Sequence, residues 1–83
     1  MDSKTVFELR NEAKDLSGIE KLNKLNNALN ISRRLYLEDS SDGWIQKAFA
    51  WILIDLCKYY IADKNLNQAS VCFKELNTIN KAK

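Results

Sequence analysis

Proline and histidine are missing from this 83-residue chain, and glycine and cysteine occur only twice each. Without proline and with so little glycine there are few sites for tight turns, which favours a few long helices over many short strands. Without histidine the chain lacks the commonest general base and the commonest neutral metal ligand. Cys57 and Cys72, with no histidine beside them, cannot make a four-ligand zinc site within one chain. Both fall in apolar helical patterns and read as buried, reduced thiols. There is no glycine-rich phosphate loop and no Glu-x-x-His ligand pair. The expectation is a non-enzyme with no catalytic residue, no metal and no cofactor. A net charge of +2 is too small to argue for nucleic acid or an acidic membrane. Met1-Asp2-Ser3-Lys4 has none of the apolar character of a signal peptide, so a cytoplasmic location is expected. Nine asparagines and ten lysines match coding from an AT-rich genome, bacterial or phage.

What the chain does have is one long apolar segment. From Trp44 to Ala62 only Gln46, Lys47, Asp55 and Lys58 carry a charge or an amide, and Ala48–Ile54 carries neither. A helix apolar on all sides has to be covered on all sides, by its own chain or by a partner. Its length suits a hydrocarbon layer of roughly 30 Å. Asp55 and Lys58, however, are costly in lipid, and the flanking segments are amphipathic. The segment therefore reads as a central helix of a single soluble domain, residues 1–83, with no membrane partner.

Start signals divide the chain into four helices. Thr5-Val-Phe-Glu8 reads as a capping box, after which Val6, Leu9, Ala13 and Leu16 form one stripe until Ser17-Gly18. Ser17-Gly-Ile-Glu20 reads as a second box, with Glu20 and Lys24 placed as an i,i+4 pair. The second helix turns Leu22, Leu25, Ala28, Leu29, Ser32, Leu35 and Tyr36 inward and Asn23, Asn26, Asn27 and Asn30 outward. Glu38–Gly43 is the clear loop, with Ser41 or Asp42 capping the third helix. Asp63-Lys-Asn65 breaks that helix, and Asn65-Leu-Asn-Gln68 starts a fourth with Leu66, Ala69, Cys72, Phe73, Leu76 and Ile79 on its face. No segment alternates with period two. The prediction is an all-α fold of two antiparallel helical hairpins, about 5–37 and 43–80, arranged as a stack or as a compact four-helix bundle.

The run Leu53-x₂-Leu56-Cys57-x₂-Tyr60-x₈-Ala69-x₃-Phe73 in the second hairpin resembles a tetratricopeptide repeat. In that family a small residue at the position of Ala69 lets two helices approach, while aromatics at Tyr60 and Phe73 fill the crossing. Leu53 stands where the family often has Trp and Cys57 where it often has Gly, and the closing Pro is missing. The first hairpin matches loosely, Ala28-x₃-Ser32-x₂-Leu35 lining up with Ala69-x₃-Phe73-x₂-Leu76 at an offset of 41 where the family has 34. The excess of seven falls at Trp44–Ala50. The resemblance implies a right-handed stack whose first helices line a groove, and it places Trp51, Ile54, Lys58 and Ile61 on the groove side.

Such a groove would suit an apolar helix or strand better than an acidic tail. Trp44 and Ile45, in the extra two turns, are the other candidate anchors, because aromatics dominate binding hot spots. The expected function is a small protein-interaction module that binds a partner peptide or helix or associates with itself. The alternative is a nucleic-acid binder or a regulatory inhibitor acting through Lys21, Lys24, Arg33, Arg34, Lys81 and Lys83. Those side chains do not share one stripe, so nucleic acid is the weaker expectation.

Overall fold

Capping and periodicity predict where helices begin and end, and the computed structural model tests both over residues 3–81, with side chains described to residue 79. It contains α1 (Ser3–Lys14), α2 (Gly18–Glu38), α3 (Gly43–Ala62) and α4 (Leu66–Lys81), with no strand among the described residues. The fold is all-α.

The predicted caps fare unevenly. Asp42 caps α3, its carboxylate accepting the backbone amides of Trp44 at 2.8 Å and Ile45 at 3.3 Å. Asn65 caps α4 in the same way, its Oδ1 accepting from the Gln68 amide at 3.3 Å. Ser17 stands at the N-cap of α2, yet its side chain makes no capping bond. Gly18 follows with φ +61°, a left-handed conformation that a Cβ would strain. Thr5 lies inside α1, so its capping box does not mark a helix start. Lys24 pairs across to Glu12 of α1 at 2.8 Å, in place of the local Glu20 partner that spacing suggested.

α3 ends in a Schellman turn. The Asn65 amide donates to the Tyr60 carbonyl at 2.8 Å and the Lys64 amide to the Ile61 carbonyl at 3.0 Å, with Lys64 itself at φ +61°. A non-glycine side chain in that conformation is strained by roughly 1 kcal/mol. Lys64→Gly removes the strain at the cost of a more flexible unfolded chain. A stabilisation of about 0.5 kcal/mol is expected, a rise of a few degrees in a thermal melt followed by circular dichroism. An unchanged or lower melting temperature would mean that the Lys64 stem contributes packing of its own.

Packing is organised around α3, which buries Ile45, Ala48, Phe49, Ile52, Leu53 and Leu56. Against them lie Val6 and Ala13 of α1 and Leu25, Ala28, Leu29, Ser32 and Leu35 of α2, the face predicted for that helix. The Tyr36 and Phe49 rings meet edge to face at 5.4 Å. Buried Ser32 satisfies its hydroxyl by donating to the Ala28 carbonyl one turn back, at 2.8 Å. The α3 backbone runs close to those of all three other helices, whereas that of α4 approaches only α3. A closed four-helix ring would also set α4 beside α1. Here two hairpins are stacked through α3.

Because the α4 backbone packs closely against α3 alone, α4 buries a single seam of Ala69, Cys72 and Ile79, with Leu76 half-buried. Leu66 and Phe73 sit to one side of that seam, 67% and 58% exposed. This corrects the predicted α4 face, and Phe73 does not fill the α3–α4 crossing.

Candidate functional site

Each residue of an α-helix turns the chain by about 100°, so spacings that alternate three and four return to one side. On α3 that series is Trp44, Lys47, Trp51, Ile54, Lys58 and Ile61, and it lies opposite the buried Ile52 and Leu56. Trp44 is 65% exposed, Trp51 44% and Ile61 57%. Lys47 and Lys58 are exposed and Ile54 is half-buried. Five of the six residues predicted to bind a partner thus form one outward stripe. The sixth, Ile45, does not belong to it. One step round from Trp44, it faces the core with Ala48 and Phe49 and is 9% exposed, so it anchors α3 internally.

Both indoles are braced by cations. The Lys47 ammonium stands 5.2 Å from the centre of the Trp44 ring, and the Arg10 guanidinium of α1 stands 4.9 Å over the Trp51 ring. Arg10 is held in turn by Asp55, Nε donating to Oδ2 and Nη2 to Oδ1. The lone acid of the apolar helix therefore serves as a fixed counter-ion that positions an arginine against a tryptophan. Beside this pair a hollow of about 240 Å³ opens between α1, α2 and α3, walled by Leu25 and Tyr59 and rimmed by Lys14, Lys21 and Lys58.

A second, more apolar hollow of about 290 Å³ lies between α2 and α4, lined by Tyr36, Phe49 and Ile79. The Arg33–Glu75 pair contributes to its wall, both guanidinium bonds being 2.7–2.8 Å long. That hydrogen bond raises the Arg33 pKa. Of the cations proposed for nucleic acid, Lys24 and Arg33 are thus committed to carboxylates, while Lys83 and the side chain of Lys81 lie outside the described residues.

The two cysteines meet across the α3–α4 seam. The Cys57 thiol donates to the Ala69 carbonyl of α4 at 3.5 Å, and both thiols are free. Burial, then the neighbouring Cys57 and Glu75, pushes the Cys72 thiol up to about 11, and burial also raises Cys57. A thiol that holds its proton more tightly when folded leaves stability level up to its ordinary value of 9.0 and erodes it from there towards 11. Urea midpoints are expected to fall between pH 9 and 11, and to fall less in Cys72→Ala. Equal slopes would mean that this thiol does not control alkaline stability.

Among the described residues no group of His, Cys, Asp or Glu side chains could hold a metal ion, and no helix is long and apolar enough to cross a membrane. No protein-family model, curated protein or solved structure matches this chain. The site residues that sequence reasoning missed are Arg10, Lys14 and Lys47, while Lys21 was expected only as a nucleic-acid contact. Asp55 was the one available signal: a carboxylate inside an apolar helix calls for a cation from elsewhere, but spacing does not say which.

Proposed function

We propose that this chain is a small non-enzymatic protein-interaction module, tetratricopeptide-like in its stacked hairpins, that docks a partner helix or peptide along the outer face of α3. The observation that carries the reading is the stripe itself. Trp44, Trp51, Ile54 and Ile61 align over the length of the helix that also supplies the core, so an apolar surface rests on the most constrained element of the fold. Large aromatics held in place by neighbouring cations lose little freedom when a partner covers them, which is what a binding anchor requires. The stack also leaves the outer side of α4 open, with Leu66, Val71 and Phe73 exposed. Nucleic acid is less well supported, because two of the cations proposed for it already face carboxylates.

The reading is tested with the native chain and a Trp44→Ala/Trp51→Ala double variant, compared by light scattering over a range of concentrations and by retention of cellular proteins. A defined protein should be held by the native chain and lost from the variant while the helical spectrum stays the same. A dimer that dissolves in the variant would assign the face to self-association. Equal retention by both chains, with both monomeric, removes the proposal.

A further inference from the structure

The stripe is not electrically neutral, and its charge selects the occupant. Lys47 and Lys58 lie within it, and Lys14 and Lys21 stand on the rim of the adjoining hollow. The one carboxylate in stripe and hollow, Asp55, is already bound by Arg10. Four cations therefore flank the apolar anchors, none of them ion-paired with a carboxylate among the described residues. Resting on the reading of α3 as a docking face, we infer that its partner is an acidic amphipathic helix of another protein. Apolar residues of that helix, at spacings of three and four, lie along Trp44, Trp51, Ile54 and Ile61. Carboxylates on either side of them reach Lys47, Lys58 and the rim of the hollow.

Three considerations favour this occupant. α3 has 20 residues, and a face roughly 30 Å long matches a partner helix of five to six turns. The α3 backbone is hydrogen-bonded within its own helix, so an extended strand would find no edge to pair with, whereas a helix reads a three-four stripe directly. A second copy of this chain is disfavoured by charge. Full antiparallel overlap of two α3 stripes sets Lys47 against Lys58 of the other copy, and parallel overlap sets each lysine against itself, a like-charge contact that costs binding energy. Nucleic acid bases stack on open aromatic faces, and one face of each indole is already taken by Arg10 or Lys47. This revises the sequence-based expectation of an apolar helix or strand in preference to an acidic tail. Arg10, Lys14 and Lys21 come from α1 and α2, and only the fold brings them to α3.

The experiment is a selection from a random library of displayed helix-forming 20-residue peptides. The bait is the full native chain, with counter-selection on Trp44→Ala/Trp51→Ala. Enriched peptides are expected to be net acidic with an apolar three-four repeat, and to bind Lys47→Glu/Lys58→Glu about tenfold or more weakly. Both lysines are exposed, so that charge reversal leaves the fold intact, which circular dichroism checks. Tryptophan-dependent binders without acidic bias would overturn the inference and leave the docking face standing. Absence of any tryptophan-dependent binder would overturn both. A concentration-dependent dimer abolished by Trp51→Ala, or retention of a single-stranded oligothymidylate more tightly than the best peptide, would replace the acidic helix by a second copy or by nucleic acid.

Discussion

Leu56→Ala is expected to lower the unfolding free energy by about 3–5 kcal/mol. A chain of this length has roughly 4–12 kcal/mol in total. The variant should therefore be partly unfolded at 37 °C, with a urea midpoint shifted far below that of the native chain. The magnitude follows from position. Leu56 has no exposed surface and lies on α3, whose backbone packs closely against those of all three other described helices. The cavity left by truncation opens where the two hairpins join, and neither hairpin can close it alone. The α4 backbone packs closely against α3 alone, and its tie to α2 is the partly exposed Arg33–Glu75 pair, so loss of packing at Leu56 should also loosen the Cys57–Cys72 seam. Thiol labelling at pH 8 provides that readout. Native thiols should react slowly, because burial holds both pKa values up, and the variant should label much faster. A loss of less than 1 kcal/mol with unchanged labelling would show that the core does not converge on α3.

The elements of this fold were legible because helix periodicity and caps are local. The apolar face of α2, the Asp42 cap and the break at Asp63–Asn65 need only neighbours a turn or two away. Placement of a side chain at the edge of a stripe is different, because it depends on how many helices surround it. Phe73 and Leu66 belong to a plausible α4 face, but with one closely packed neighbour backbone α4 buries only its central seam. Ile45 was misplaced for a related reason. Sequence marked the start of α3 as surplus to the repeat, whereas in three dimensions those turns still lie against the first hairpin and need an inward residue. The apolar half of the candidate site was readable as the series from Trp44 to Ile61. Its charged half was not, since Arg10 reaches Asp55 across 45 positions of sequence. Ser17 gives the opposite lesson, a good local signal left unused once Gly18 turns left-handed.

Trp51→Ala should separate stability from binding. Nearly half of Trp51 is exposed, and the Arg10 guanidinium stands over its ring. Truncation should therefore cost about 1 kcal/mol of stability, as expected for lost cation–π contact and partial burial. Binding of a retained partner should weaken by about 30-fold or more, because a central aromatic anchor typically contributes 2 kcal/mol or more. Arg10 allows the cause to be resolved. Arg10→Ala leaves Asp55 half-buried and unpaired and frees the Trp51 ring, so both stability and affinity should fall. Arg10→Lys keeps a charge for Asp55 but loses the planar fork that stacks and chelates at once. Its affinity should drop several-fold with little change in melting temperature. In the Arg10→Lys/Trp51→Ala double variant the affinity losses should be less than additive, because an arginine that acts by bracing Trp51 has nothing left to brace. Strict additivity would instead make Arg10 an independent contact with the partner, and the Asp55–Arg10 pair would then serve to hold a cation at the interface.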